Sequence, residues 1–189
     1  MNAFMRTMPI MLDVASESDL VARAQRGAAA EREAAFAELF REFRGAVFAL
    51  CLHLTGNVTD AEDALQEVFL ALHLGIGRFR GECRLFTWIY RIAIRIALRV
   101  KASRPQEPKE LKVDPAATRQ DDPIVAREES ERVFSALSRL SADQRVVISL
   151  FAIEGLSHKE IATILGVPEG TVWSRLHHAR KNLASLLQE

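Results

Sequence analysis

The sequence predicts an all-α protein made of two small helical domains joined by a flexible linker. Helical periodicity dominates from about residue 17 to 102, and no strand-like alternation lasts more than a few residues. Four of the six prolines, Pro105, Pro108, Pro115 and Pro123, then fall in a polar stretch through which no apolar period runs. Helical patterning resumes near Ile124. The expected organisation is a disordered leader over 1–16, one domain over 17–104, a Pro-rich acidic linker over 105–124 and a second domain over 125–189.

In the first domain Phe36, Leu39, Phe40, Phe43, Val47, Leu50, Cys51 and Leu54 recur at steps of three and four, which gives a long helix ending at Gly56. Thr59 and Glu62 have capping-box spacing and open a second helix with Ala61, Ala64, Leu65, Val68, Phe69 and Leu72 on its buried side. Gly75 and Gly77 stop it, and the loop GIGRFRGEC leads to a third helix from about Leu85 to Lys101. In the second domain Val133, Phe134, Leu137 and Leu140 share a face, and Ser141 is the expected N-cap of ADQRVVISLFAIEG.

The last stretch, SHKEIATILGVPEGTVWSRL, reads as two short helices around a glycine corner. Ser157 and Glu160 form a capping box, Gly166 supplies a positive φ, and Pro168 suits a first turn. Val172, Leu176, Ala179 and Leu183 bury one stripe of the second helix. The other side carries Trp173, Ser174, Arg175, His177, His178 and Lys181, a surface of donors and basic groups that suits the major groove. An αα-hairpin in a bundle core is the alternative at this point.

Composition bounds the function. With 189 residues, 49% apolar and 26% charged, the chain is expected to fold, and 25 basic against 25 acidic side chains leave no global attraction to nucleic acid. Charge is segregated locally: residues 78–104 carry eight basic groups and one acid, whereas 105–132 carry eight acids and five bases. Arg91, Arg95 and Arg99 at successive i, i+4 steps line one ridge, which an anion would relieve of self-repulsion. Phe79, Phe86, Trp88 and Tyr90 interleave with this charge, as in proteins that hold unstacked strands. For Trp88, core packing and base stacking both stay open. A ring stacked on a base contributes about 1–3 kcal/mol and an opened duplex step costs about 1.4 kcal/mol. Such a chain could capture a few melted bases but not hold a large bubble, so a larger partner is implied.

Asp63, Gln66 and Glu67 fall at i, i+3 and i+4 and offer acceptors to a cationic helix of such a partner. Two cysteines in a chain of this size fit a reducing cytoplasm, the N-terminus MNAFMRTMPIMLDVA is expected to be a frayed leader rather than a signal peptide, and the sequence holds no 18-residue apolar stretch. Cys83, between Arg80 and Arg84, is a candidate redox switch. No catalytic, cofactor-binding or metal-binding pattern is apparent.

DAEDALQEVF, FRGECRLFTWIYRIA and GLSHKEIATILGVPEGTVWSRLHHARKNL, in that order, resemble the bacterial sigma-70 family, specifically its extracytoplasmic-function (ECF) members. The resemblance implies region 2 over 17–104 and region 4 over 125–189, and a function in promoter-specific initiation on core RNA polymerase. It implies that Asp60, Asp63, Gln66 and Glu67 dock on the β′ clamp helices and that region 4 meets the β flap. Arg78, Phe79, Arg80, Arg84, Trp88, Arg91, Arg95 and Arg99 would open and read the minus-ten element. Ser157, Lys159, Thr171, Trp173, Ser174, Arg175, His177, His178 and Lys181 would serve the minus-thirty-five element. Promoter DNA and an anti-sigma factor are the other implied partners, without membrane insertion. Arg95 stands where the family often has Asn, and Arg lacks the paired donor and acceptor of an amide. Trp173 and His178 stand where Lys or Arg is common, so no promoter consensus is transferred. The rival reading is a regulator with the C-terminal reader alone, which leaves the Arg ridge without a purpose.

Overall fold

The computed structural model describes residues 13–103 and 132–188, and every described element is helical. The chain-terminal leader residues 1–12 and the linker expected over 105–124 lie outside the described residues.

Helix α1, Val14–Arg26, starts inside the expected leader because Asp13 caps it: its carboxylate accepts the N–H groups of Ala15 at 2.9 Å and Ser16 at 3.0 Å. Helix α2, Ala29–Thr55, buries Leu39, Phe43, Val47, Leu50, Cys51 and Leu54 and ends at Gly56, whose φ of 92° is the left-handed cap its sequence predicts. Phe40, placed in that stripe by its spacing, lies at its edge and stays 38% exposed. Helix α3 is Val58–Gly75. Its cap is Asn57 rather than Thr59: Asn57 Oδ1 accepts the Asp60 N–H at 2.8 Å, so the helix begins two residues earlier than the capping-box spacing suggests. A 3₁₀ turn, Ile76–Arg78, then leads through the loop to α4, Leu85–Ser103.

Helices α2, α3 and α4 pack into a bundle with α1 laid across α2. At 1–2% exposure or less, Leu20, Leu39, Leu50, Leu54, Leu72, Leu85 and Ile89 form its centre, each contributing about 1.5–3 kcal/mol by leaving water.

The second helical group contains α5 (residues 132–138), α6 (Ala142–Ile148), α7 (His158–Leu165) and α8 (Glu169–Gln188). Ser141 caps α6 as expected. Its end widens into a π-helical turn over Ser149–Ile153, closed by the Glu154 N–H donating to the Ser149 carbonyl at 3.1 Å. The glycine corner is as read: Ser157 and Glu160 cap α7 reciprocally, and Gly166 adopts φ 66°. Val172, Leu176 and Ala179 bury the α8 stripe against α6 and α7.

The two groups do not stand apart. Buried residues form one continuous core through both, with α4 against α7 and α2 against α6.

Candidate functional site

On α3 the packing face, Ala61, Ala64, Leu65, Val68 and Phe69, turns inward, which leaves Asp63, Gln66 and Glu67 exposed on the opposite side. With Leu70, Val100 and Ser103 they line an open groove of about 610 Å³ between α3 and the end of α4. Leu70 and Leu74 continue this ridge at 59% and 73% exposure, so apolar and acidic surface adjoin. Asp60 departs from its expected place on this face. It is 3% exposed, because the Asn57 cap engages its carboxylate, which accepts the Asn57 amide at 2.6 Å.

Arg91, Arg95 and Arg99 do form an exposed ridge on α4, opposite Ile89, Ala93, Ile96, Ala97 and Val100. Two of the three are engaged. Arg99 pairs with Glu67 across the groove. Arg91 donates to the carbonyls of Thr163 at 2.6 Å and Ile164 at 3.0 Å, at the C-terminal end of α7 where unsatisfied carbonyls and the helix dipole favour a cation.

In the loop before α4, Arg78 and Arg80 are exposed, and the Arg80 contact to Glu82 at 3.8 Å is between side chains 83% and 78% open to solvent. Arg84 instead donates to Glu17 of α1 at 2.7 Å. The Phe79 and Trp88 rings lie 5.1 Å apart, both half-buried, and Trp88 packs so close to Gly75 that a Cβ there would meet its ring at 3.3 Å. Trp88 is thus held between Gly75 and the Phe79 ring while part of it stays exposed. Phe86 and Tyr90 are core, at 6% and 1% exposure. Cys83, half-buried, and Cys51, buried, are both free thiols, and loss of solvation pushes the Cys51 thiol up to about 12.

On the corner, Ser174, His177, His178 and Lys181 are exposed and Thr171 is half-buried, while Ser157 is occupied in capping and Lys159 is exposed beside it. Arg175 pairs with Asp143 of α6 at 2.7 Å. Trp173, 57% exposed, stacks on His158 at 3.9 Å with an interplanar angle of 5°, and the Phe151 ring lies tilted at 5.1 Å from His158.

Sequence reasoning passed over the contacts that join the two groups. The Tyr90 hydroxyl donates to Glu154 at 2.6 Å in a site where Glu154 is 1% exposed. Burial raises that carboxyl to about 7, opposed by the hydrogen bond from Tyr90, and holds the Tyr90 hydroxyl far above its usual range. Arg145, 4% exposed, donates to the Leu54 carbonyl at 2.9 Å and the Leu140 carbonyl at 3.1 Å. The only signal for these was one acid and one base within an otherwise apolar run, which names no partner. Among the described residues no cluster of metal-ligating side chains occurs and no helix is long and apolar enough to cross a membrane.

Two helical groups, one with an exposed acidic face beside a basic ridge and the other with a helix-turn-helix corner, have the architecture of DNA-reading accessory subunits. Residues 39–104 match the family model for sigma-70 region 2, and residues 130–183 match that for sigma-70 region 4. The chain is 31% identical over 191 residues to the RNA polymerase sigma-H factor of Pseudomonas aeruginosa, covering 94% of this chain and 97% of that one. It is 31% identical over 170 residues to the ECF RNA polymerase sigma factor SigW of Bacillus subtilis, covering 82% and 90%. Its fold is similar to that of CnrH, solved in complex with the cytosolic domain of CnrY, at 28% identity and a TM-score of 0.69 over 91% of this chain and 97% of that one. The chain belongs to the sigma-70 family, in its extracytoplasmic-function group. It acts with core RNA polymerase and promoter DNA in transcription initiation.

Proposed function

We propose that this sigma factor rests in a closed form and is opened by core polymerase, with the residues of each region assigned as follows. Asp63, Gln66 and Glu67 receive the β′ clamp helices in the groove between α3 and α4, and region 4 meets the β flap. Arg78, Phe79, Arg80, Trp88, Arg95 and, once released, Arg91 and Arg99 serve the minus-ten strand. Ser174, His177, His178 and Lys181, joined by Trp173 and Arg175, serve the minus-thirty-five duplex, with Lys159 and Thr171 beside it.

The observation that carries this reading is that Arg91 is spent on α7, so region 2 and region 4 hold each other. The two promoter elements lie some 25 positions apart, which at 3.4 Å per step is about 85 Å. A globule of this size is only about 40 Å across. Both readers cannot reach their elements while α4 packs on α7. Residues 104–131, fully extended, reach about 90–100 Å, enough for the separation.

Control by an anti-sigma factor is part of the proposal. CnrH is bound by the cytosolic domain of CnrY, and a protein partner of that kind would act here by covering the α3 groove or retaining the closed form.

The test is run-off transcription with purified core enzyme over a library of promoter sequences. Selection of sequences bearing two elements at a fixed spacing is the expected result. Initiation independent of the upstream element would remove the corner from promoter reading.

A further inference from the structure

Helix α1 lies upstream of the region 2 match, which begins at residue 39, and neither the docking face nor the readers use it. Its inner face nevertheless touches both ends of the loop before α4. Gln25 Nε2 donates to the carbonyl of Ile76 at 2.9 Å and to that of Phe79 at 2.8 Å, at the loop's entry. Glu17 accepts the Arg84 Nε–H at 2.7 Å and also the Leu85 N–H, at the loop's exit. The two α1 residues are eight positions apart, hence on one face and about 12 Å apart along the axis. Between the anchors, Arg80, Gly81 and Glu82 are exposed, and Gly81 takes φ 72° to turn the chain.

Each contact has a physical reason. Ile76 begins a 3₁₀ turn and Phe79 caps its end: the Ile76 carbonyl accepts the Phe79 N–H at 3.1 Å and keeps a second lone pair, and the Phe79 carbonyl lies past the turn's last bond. A side-chain amide with two donors satisfies both. Leu85 is the first residue of α4, so its N–H is one of the helix's orphan donors, and a carboxylate there also complements the helix dipole. The Glu17 side chain is 12% exposed and the Arg84 side chain 33%, which shields this pair from solvent more than the Arg80–Glu82 contact.

We infer that α1 is a positioning brace for the strand-opening loop: Gln25 and Glu17 hold its two ends so that Phe79, Arg80 and Trp88 meet the minus-ten strand preformed. Arg84 is a strut of this brace rather than a strand contact, since its guanidinium is turned to Glu17. The brace acts on the opening step, because a loop already ordered needs no further ordering when the bases unstack. The inference rests on the assignment of this loop to strand opening made above.

The experiment uses the full chain reconstituted with core polymerase. Open-complex formation is followed by 2-aminopurine fluorescence in the minus-ten region of a promoter taken from the library selection, on duplex template and on a template premelted over the same bases. Gln25→Met keeps length and helix propensity but removes both donors; Glu17→Gln keeps a group for the Leu85 N–H but removes the charge. Each variant's core affinity and thermal unfolding are measured alongside, to show that it is folded and docked. Either change is expected to slow opening on duplex by roughly five- to thirtyfold, the loss of one or two hydrogen bonds, while activity on the premelted template stays within about twofold. An equal loss on both templates means a merely structural role and overturns the brace, as does an unchanged rate on duplex. Phe79→Ala separates the two levels of argument. If it slows duplex opening and the α1 variants do not, the brace fails and the loop assignment stands; if none of them slows opening, both fail.

Discussion

Glu154 shows how one side chain can couple two surfaces. In the closed form its carboxyl is buried against Tyr90 and titrates at about 7, against 4.5 for a solvated glutamate. Between those values the closed form binds the proton that a solvated Glu154 releases, so closure is favoured at low pH, weakens as pH rises through that window and levels off above about 7. The whole effect is bounded at about 3 kcal/mol. Energy transfer between dyes on α3 and α8 of the free protein is expected to fall from pH 5 to 8, and Glu154→Gln is expected to flatten the profile. A wild-type profile in that variant would assign the titration elsewhere. Arg91 carries a second prediction, with opposite signs in two assays. Arg91→Ala removes the donor to the Thr163 and Ile164 carbonyls, about 1–2 kcal/mol for a partly solvated charged bond. The free protein should open more readily by the same dye measurement, while transcription from a duplex promoter falls because the ridge has lost a cation. Neither Glu154 nor Arg91 announced these partners in the sequence. The Tyr90–Glu154 contact spans 64 positions and the Arg91–Thr163 contact 72.

Helix α7 was legible to the residue, because period, capping box and glycine stop agree there, and the end of α2 at Gly56, the start of α4 at Leu85 and the Ser141 cap of α6 were each read from one such signal. The start of α3 was misjudged. Thr59 and Glu62 match a capping box, but Asn57 two residues earlier competes for the same role and is the stronger cap. Asn57→Ala is therefore expected to cost about 1 kcal/mol in urea unfolding; Thr59→Ala should cost a few tenths. The Asn57 cap also engages the Asp60 carboxylate, so Asp60 is buried beside the cap while Asp63, Gln66 and Glu67 are exposed. Glu67 is exposed and its ion pair with Arg99 is at the surface, so Glu67→Lys should leave unfolding within about 0.5 kcal/mol of wild type. It should nevertheless abolish core binding in a pull-down, since it places a cation where cationic clamp helices are to dock. Normal core affinity in that variant would move the docking site off α3.

The fully assembled chain presents a conflict between compactness and reach. Its continuous core buries α4 against α7, whereas promoter elements about 85 Å apart require the two groups to separate. Among the described residues, Arg91 to α7, Arg145 to Leu54 and Tyr90 to Glu154 are polar contacts that join the two groups, besides apolar packing. Addition of core polymerase to dye-labelled protein is expected to lower energy transfer between α3 and α8 in proportion to complex formed, and Glu67→Lys should block that change. Unaltered transfer on binding wild-type protein would mean that the closed form is not the resting state.

Local rules sufficed for the helices, the glycine corner, the basic ridge and the carboxylate face, since each depends on residues within a turn or two of one another. The chain's membership in its family was also readable, because its signature stretches are continuous in sequence. What required the folded chain was which of those groups are free. Arg84 is held by Glu17, Arg91 by α7, Arg175 by Asp143 and Trp173 by His158, and α1 braces a loop fifty residues away. A side chain's periodicity says which way it points from its own helix. Whether another helix is already waiting there depends on packing between distant segments, to which no local pattern is sensitive.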